Sequence, residues 1–198
     1  DYGRYARYPV KTHVITKDDV LEDVLDKYVR EYIQPGDTII MSEKIVAISQ
    51  GRAFPIEEIK VSRLAKILSH FVVKTNYGIG LGMPETMELC IREVGRVKVL
   101  WAAFCAAIGK LFGKHGVFYN ICGMKARAID GPCEYTLPPY NHYAKMAPDK
   151  PDEVAERLTK YLGVDVVIID ANDIGANVLG KPRKDMPDEL SLIHISEP

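Results

Sequence analysis

Three carboxylates and one lysine-bearing triplet have the types and spacing that chemistry requires. Asp170 and Asp173 stand in the segment DANDIGANVLG, directly after the apolar run VDVVII and in company with Asn172 and Gly175. Segments at strand exits commonly hold ligands in α/β proteins. Carboxylates three apart in a turn can share a hard divalent cation, which takes oxygen ligands. The competing reading is an Asx turn, in which Asp and Asn bond their own backbone. Asp130 closes the run Lys125-Ala126-Arg127-Ala128-Ile129-Asp130 and precedes Gly131. Asp-Gly is ordinarily a turn; alternatively Lys125 and Arg127 pair with phosphate oxygens and Asp130 with a metal. Ser42-Glu43-Lys44 lies between two apolar runs. Unpaired buried charge is costly, so the triplet must face a turn, a cleft or solvent. Either Lys44 sets its ammonium on a nucleotide phosphate with the Ser42 hydroxyl as a second donor, or the triplet is a solvated hairpin turn.

Other candidates carry less. The glycines of residues 78–82 fit neither G-x-x-x-x-G-K-[ST] nor G-x-G-x-x-G and read as a mobile connector or lid. His13, His70, His115 and His142 show no ligand spacing and read as structural or surface residues. Cys90, Cys105, Cys122 and Cys133 form no C-x-x-C pair and read as reduced thiols.

The elements that must position these residues alternate between strands and helices. Residues 10–15 fit a short strand. Thr16 with Asp19 suggests a cap for a helix whose apolar stripe is Val20, Leu21, Val24, Leu25, Tyr28, Val29, Tyr32 and Ile33. Pro35-Gly36 ends it. Residues 38–41 and 45–48 read as buried strands, with a turn at Gly51-Arg52. Helices are expected over residues 57–71, from Pro84 to Val94, and from Pro151 to a stop at Gly163. Residues 117–121 and 164–169 read as strands, and 131–143 and 170–180 as loops. The most apolar run, VKVLWAAFCAAIGKLF (residues 97–112), is too short to span a bilayer and reads as buried core, helical from Leu100. The pattern predicts a mixed α/β (α+β) fold of short strands and helices around mixed sheets.

A chain of 198 residues with a formal net charge of -1 can bury a sizeable core but lacks the basic excess that polyphosphate binding needs. Nucleic acid is therefore not an expected partner, nor is a membrane. The amino terminus has no apolar leader, which suggests a cytoplasmic protein. The closing string LSLIHISEP follows no capping element. Residues 190–198 read as a non-native tail, and residues 1–189 as one domain incomplete at its carboxyl end.

Residues 37–52 resemble the core of the coenzyme F420-0:L-glutamate ligase family. The family has Gly-Asp, an apolar strand, Ser/Thr-x-Lys-Ile-Val and a Gly-Arg turn. This chain has Gly36-Asp37, Ser42-Glu43-Lys44-Ile45-Val46 and Gly51-Arg52. Ala147-Pro148-Asp149-Lys150-Pro151-Asp152 is similar to its Leu-Pro-x-Asp-Pro-Asp segment, and the strand before Asp173-Ile174-Gly175 to its Ile-Ile-Ser-Asp-Thr-Phe-Gly stretch. Two positions depart from it. Gly131-Pro132-Cys133 stands where the family has Ser-Asn, and Ala176-Asn177 where it has an Arg-Pro-Trp-Arg type sequence. The chain resembles a divergent, ligase-like subfamily.

The resemblance implies a GTP- or ATP-dependent carboxylate–amine ligase that glutamylates a phosphorylated cofactor precursor through an acyl phosphate. It implies that Ser42 and Lys44 contact nucleotide, that Asp130, Asp173 and (with an offset loop) Asp170 bind Mg2+ or Mn2+, and that the protein is a homodimer. The alternative is a non-catalytic nucleotide- or cofactor-binding protein of the same fold.

Overall fold

The computed structural model describes residues 6–72, 80–134, 136–172 and 175–186. In chain order the elements are α1 (Leu21–Tyr28), β1 (Thr38–Ser42), α2 (Glu43–Ser49), β2 (Ala53–Pro55), α3 (Arg63–Ser69), α4 (Pro84–Val94), α5 (Arg96–Leu111), α6 (Val117–Cys122), α7 (Met124–Arg127), β3 (Tyr143–Lys145), α8 (Pro151–Leu162), β4 (Asp165–Asn172) and β5 (Gly175–Gly180). Single 3-10 turns occur at Arg30–Tyr32, Ile56–Glu58, Gly80–Gly82 and Tyr140–His142. The fold is mixed α+β, as the alternation predicts. The chain divides into two compact units, one made of Asp1–Gly51 with Pro148–Pro198, the other of Arg52–Ala147.

The first unit holds a three-stranded sheet in the order β1-β4-β5. β1 and β4 run parallel, from Thr38 opposite Asp165 to Ser42 opposite Ile169. β4 and β5 form an antiparallel pair. Leu21 and Leu25 of α1, Val46 of α2, and Val154, Ala155 and Leu158 of α8 bury against Met41, Val166 and Ile168. Pro151 suits the first turn of α8, whose first N–H groups have no partner within the helix. Gly163 ends it at φ 80°, a conformation that glycine adopts without Cβ strain.

The second unit pairs β2 with β3 antiparallel. Its core gathers Leu81, Met87, Leu89, Cys90, Val99, Ala102, Cys122, Ile129 and Ala144. Gly80–Gly82, read from sequence as part of a lid, instead inserts Leu81 with no exposed surface into this core; residues 78 and 79 lie outside the described residues.

Four local expectations are corrected. Residues 45–48 are helical in α2, because Ser42 caps the helix by accepting the Lys44 N–H at 3.3 Å and one helical face buries Val46 and Ala47. Residues 117–121 are helical in α6, bracketed by Gly116 at φ 77° and Gly123 at φ 84°. Periodicity does not separate a short apolar helix from a buried strand. Residues 10–15 form no strand. His13 instead ties the segment to Tyr28 at 3.0 Å and to Asp19 at 2.9 Å, and Asp19 accepts from the Thr16 N–H at 2.7 Å to close a turn ahead of α1. The run 97–112 is helical from Leu100 as expected, but the helix already begins at Arg96 and ends at Leu111, and the run is not buried as a whole. Only Val99, Ala102 and Gly109 of α5 are buried, and Val97, Trp101, Phe104 and Leu111 face outward.

Candidate functional site

In the first unit the parallel pairing of β1 with β4 sets the carboxyl end of β1 beside Ile169, three residues before β4 ends at Asn172. Ser42 is the last residue of β1 and lies opposite Ile169. Asp170 is the next residue of β4, half-buried, and pairs across β4–β5 with Asn177. The segment after Ile169 therefore continues as strand to Asn172 and returns in β5, rather than opening into a loop. The reason is that Gly175–Gly180 supplies the backbone partners an extended residue 170 needs. Asp173 lies outside the described residues.

Ser42 has two roles available. Its oxygen accepts the Lys44 N–H, while its own O–H remains a donor. Lys44 is exposed in the first turn of α2. Crevices beyond the carboxyl ends of parallel strands are where open α/β sheets bind ligands. The Ser42–Lys44 turn and Asp170 stand at that end of this sheet.

The start of α8 is fixed by a second set of contacts in the same unit. The Gln50 side-chain amide brackets Asp149, donating to its carbonyl at 2.9 Å and accepting its N–H at 2.8 Å. Lys150 follows at φ 45°. At the far end of β5 the Lys181 N–H donates to Asp152 at 3.0 Å. The segment Ala147-Pro148-Asp149-Lys150-Pro151-Asp152 thus includes residues that place a helix, and its Asp152 carboxylate serves a backbone group.

Asp130 belongs to the second unit. It is not in an Asp-Gly turn but extends the small sheet, exchanging both backbone hydrogen bonds with Lys145 at 2.9 Å. Lys125 and Arg127, considered above for phosphate, have protein partners. Lys125 pairs with Glu93 at 2.8 Å, and Arg127 donates to the Asn120 side chain. Glu93 also takes Arg52 at 3.0 Å. Burial pushes the Glu93 carboxyl upward, but hydrogen bonds from Lys125 and Arg52 outweigh it and hold the group below its ordinary range. Arg52 further donates from Nε to the Ala147 carbonyl at 2.5 Å and accepts the Met146 N–H at 3.0 Å on its own carbonyl. The Gly51-Arg52 turn is therefore an anchor as well as a turn. Nothing in the spacing of Arg52 and Glu93 announces this pair.

Among the described residues no three His, Cys, Asp or Glu side chains gather as a metal cage. The carboxylate oxygens of Asp170 suit a hard cation, and Asp173 lies beyond what is described.

The model of the F420-0:gamma-glutamyl ligase family matches residues 9–174. The chain belongs to this family. No individual curated protein matches it. The span shared with the F420-0:gamma-glutamyl ligase family includes β1, the Ser42 cap and β4 through Asp170, together with Asp130 of the second unit. The residues the motifs single out thus fall inside the matched region. No helix among the described residues is long and apolar enough to cross a membrane.

Proposed function

We propose that the chain is a nucleotide-dependent carboxylate–amine ligase, using GTP or ATP, that works through an acyl phosphate. The observation that supports this reading is the parallel β1–β4 register, which sets Ser42, the last residue of β1, opposite Ile169 and so beside Asp170. Family membership supports the ligase chemistry. A carboxylate is a poor electrophile and needs a phosphate leaving group. A carboxylate oxygen of the acceptor attacks the terminal phosphorus, and the bond to the nucleoside diphosphate breaks. The glutamate amine then attacks the acyl carbon, forming the C–N bond, expelling phosphate and losing a proton. Lys44 neutralises charge on the phosphoryl oxygens and the Ser42 hydroxyl donates to one of them, the kind of preorganised stabilisation that dominates phosphoryl transfer.

Asp170 is the proposed cation ligand at this end, with Asp173. Asp130 is retained as a candidate ligand on the resemblance alone. Mg2+ or Mn2+, when bound, would supply charge neutralisation on the phosphates. A homodimer is the proposed assembly, again on the resemblance alone.

A second reading has its own support. The engagement of Lys125 by Glu93 and of Arg127 by Asn120 favours a protein that binds nucleotide or cofactor without turning it over. Equilibrium dialysis with GTP or ATP and Mn2+, followed by an assay of nucleoside diphosphate and phosphate release in the presence of glutamate and F420-0, separates the two. Binding with glutamate-dependent release supports the ligase. Binding without release supports the second reading. Absence of binding at millimolar nucleotide removes both.

A further inference from the structure

The outward face of α5 has no role in the ligase reading. Val97, Leu100, Trp101, Phe104, Ile108 and Leu111 recur at helical spacing on one side. All are exposed, with Val97 at 83 %, Trp101 at 59 % and Leu111 at 85 %. Phe112 continues the stripe just past the helix end. The Trp101 and Phe104 rings lie 5.9 Å apart along it. The stripe presents on the order of 700 Å² of apolar surface, above the ~300–600 Å² of the largest patch on a typical monomer. The sequence expectation of no membrane partner rested on burying this run, and its exposure removes that ground.

Charge indicates what covers the stripe. Between Val94 and Ile129 the chain carries Arg96, Lys98, Lys110, Lys114, Lys125 and Arg127 and no Asp or Glu, in a protein whose formal net charge is -1. Arg96, Lys98 and Lys110 are exposed. At 3.6 residues per turn they fall on both flanks of the stripe, between its apolar face and the buried face of α5. Lys110 donates to the Phe71 carbonyl at 3.5 Å, which brings the exposed Ile67 and Phe71 alongside. The nearby α3 adds Arg63 and Lys66 and no acid. A second copy laid against this face would set cations against cations.

We propose that α5 lies in the plane of an anionic lipid surface. Its aromatic and aliphatic stripe enters the acyl boundary, and the flanking Arg96, Lys98 and Lys110 rest their stems on apolar surface and their charged ends on lipid phosphates. This places one face of the second unit on a membrane, with α5 lying along the surface rather than across it.

Trp101 is the single tryptophan of the chain, so its fluorescence reports directly. The whole chain is titrated with phosphatidylcholine vesicles, with and without phosphatidylglycerol, at low and high salt. With phosphatidylglycerol, Trp101 emission shifts to the blue, iodide quenching falls and the protein co-sediments; raised salt weakens all three. The double variant Trp101→Ala/Phe104→Ala lowers vesicle affinity at least about tenfold, as loss of two inserted aromatics requires. The variant Lys98→Glu/Lys110→Glu removes the preference for anionic vesicles while circular dichroism is unchanged. Absence of a shift and of co-sedimentation with anionic vesicles overturns the proposal. So does equal binding to both vesicle types, or a lipid-free dimer in which Trp101 is already shielded from iodide.

Discussion

Ser42 stands directly opposite Ile169 in the parallel ladder, so Asp170 is the first residue of β4 beyond the pair. Local order places the Ser42 hydroxyl at the start of α2, and a ladder formed by residues far apart in the chain places a carboxylate at the same sheet end. Removing either charged member of this arrangement tests it. Lys44→Ala and Asp170→Asn are each expected to weaken Mn2+–nucleotide binding at least about tenfold, the ~1.5–3 kcal/mol typical of a hydrogen bond to a charged group. Lys44 is exposed, so the urea midpoint of Lys44→Ala should stay within about 0.5 kcal/mol of the parent. Calorimetric titration and a urea melt read the two effects separately. Unchanged nucleotide affinity in both variants would sink the assignment.

Glu93 is the electrostatic anchor of the second unit. Glu93→Gln leaves Arg52 and Lys125 without the carboxylate, and only Arg52 is largely buried, its side chain being 19 % exposed. The expected cost is about 3 kcal/mol, at the low end for breaking a buried pair. The carboxyl is held below its ordinary value of 4.5, so its stabilisation is present above that pH and is lost as pH falls through the lower folded value. Urea midpoints measured from pH 7 down to pH 3 should fall for the parent. The variant should start lower and show a shallower acid slope. Parallel slopes would show that Glu93 does not contribute this linkage.

Gly180 allows two backbones to meet. A Cβ there would lie 2.4 Å from the Pro151 carbonyl oxygen and 2.5 Å from its carbon. Backbone atoms cannot rotate aside as a flexible side-chain end can. Gly180→Ala is therefore expected to destabilise the protein by about 1–3 kcal/mol, as overpacking does. Because the shift falls at the start of α8, amide exchange in the first turn of that helix should accelerate. A neutral melting midpoint would show that β5 and α8 separate easily.

Leu81 is fully buried between two glycines. Its truncation to Ala should cost about 2–5 kcal/mol through lost transfer energy and the cavity left behind. A mobile lid at this position predicts almost no change in chemical denaturation, so the midpoint distinguishes lid from core.

Several elements are legible in the sequence alone. β1 and β4 are runs of β-branched residues, and α4 and α8 begin at prolines and end at glycines, signals that act within a few residues. The apolar runs at 45–48 and 117–121 read as strands in the sequence but fold as α2 and α6. Each is a short apolar run, and whether such a run coils or extends depends on capping and on which backbone lies beside it. For α2 the deciding group was Ser42, which spacing alone had placed before a second strand. For residues 170–172 it was the returning strand β5. The apolar content of α5 was plain, but whether that surface meets core or solvent is a property of its neighbours.

By itself the sequence determined the α+β class, the family motif around Ser42 and Lys44, the starts and stops of α4 and α8, and an acid-free basic run around α5. These follow from local backbone preference and from composition, which each residue carries wherever it sits. Only the tertiary structure decided that Ser42 and Asp170 share a sheet end, that Arg52 and Lys125 converge on Glu93, and that α5 turns its aromatic stripe outward. Each of these depends on the register or packing of segments distant in the chain, where contact energies choose among arrangements that local spacing leaves equivalent.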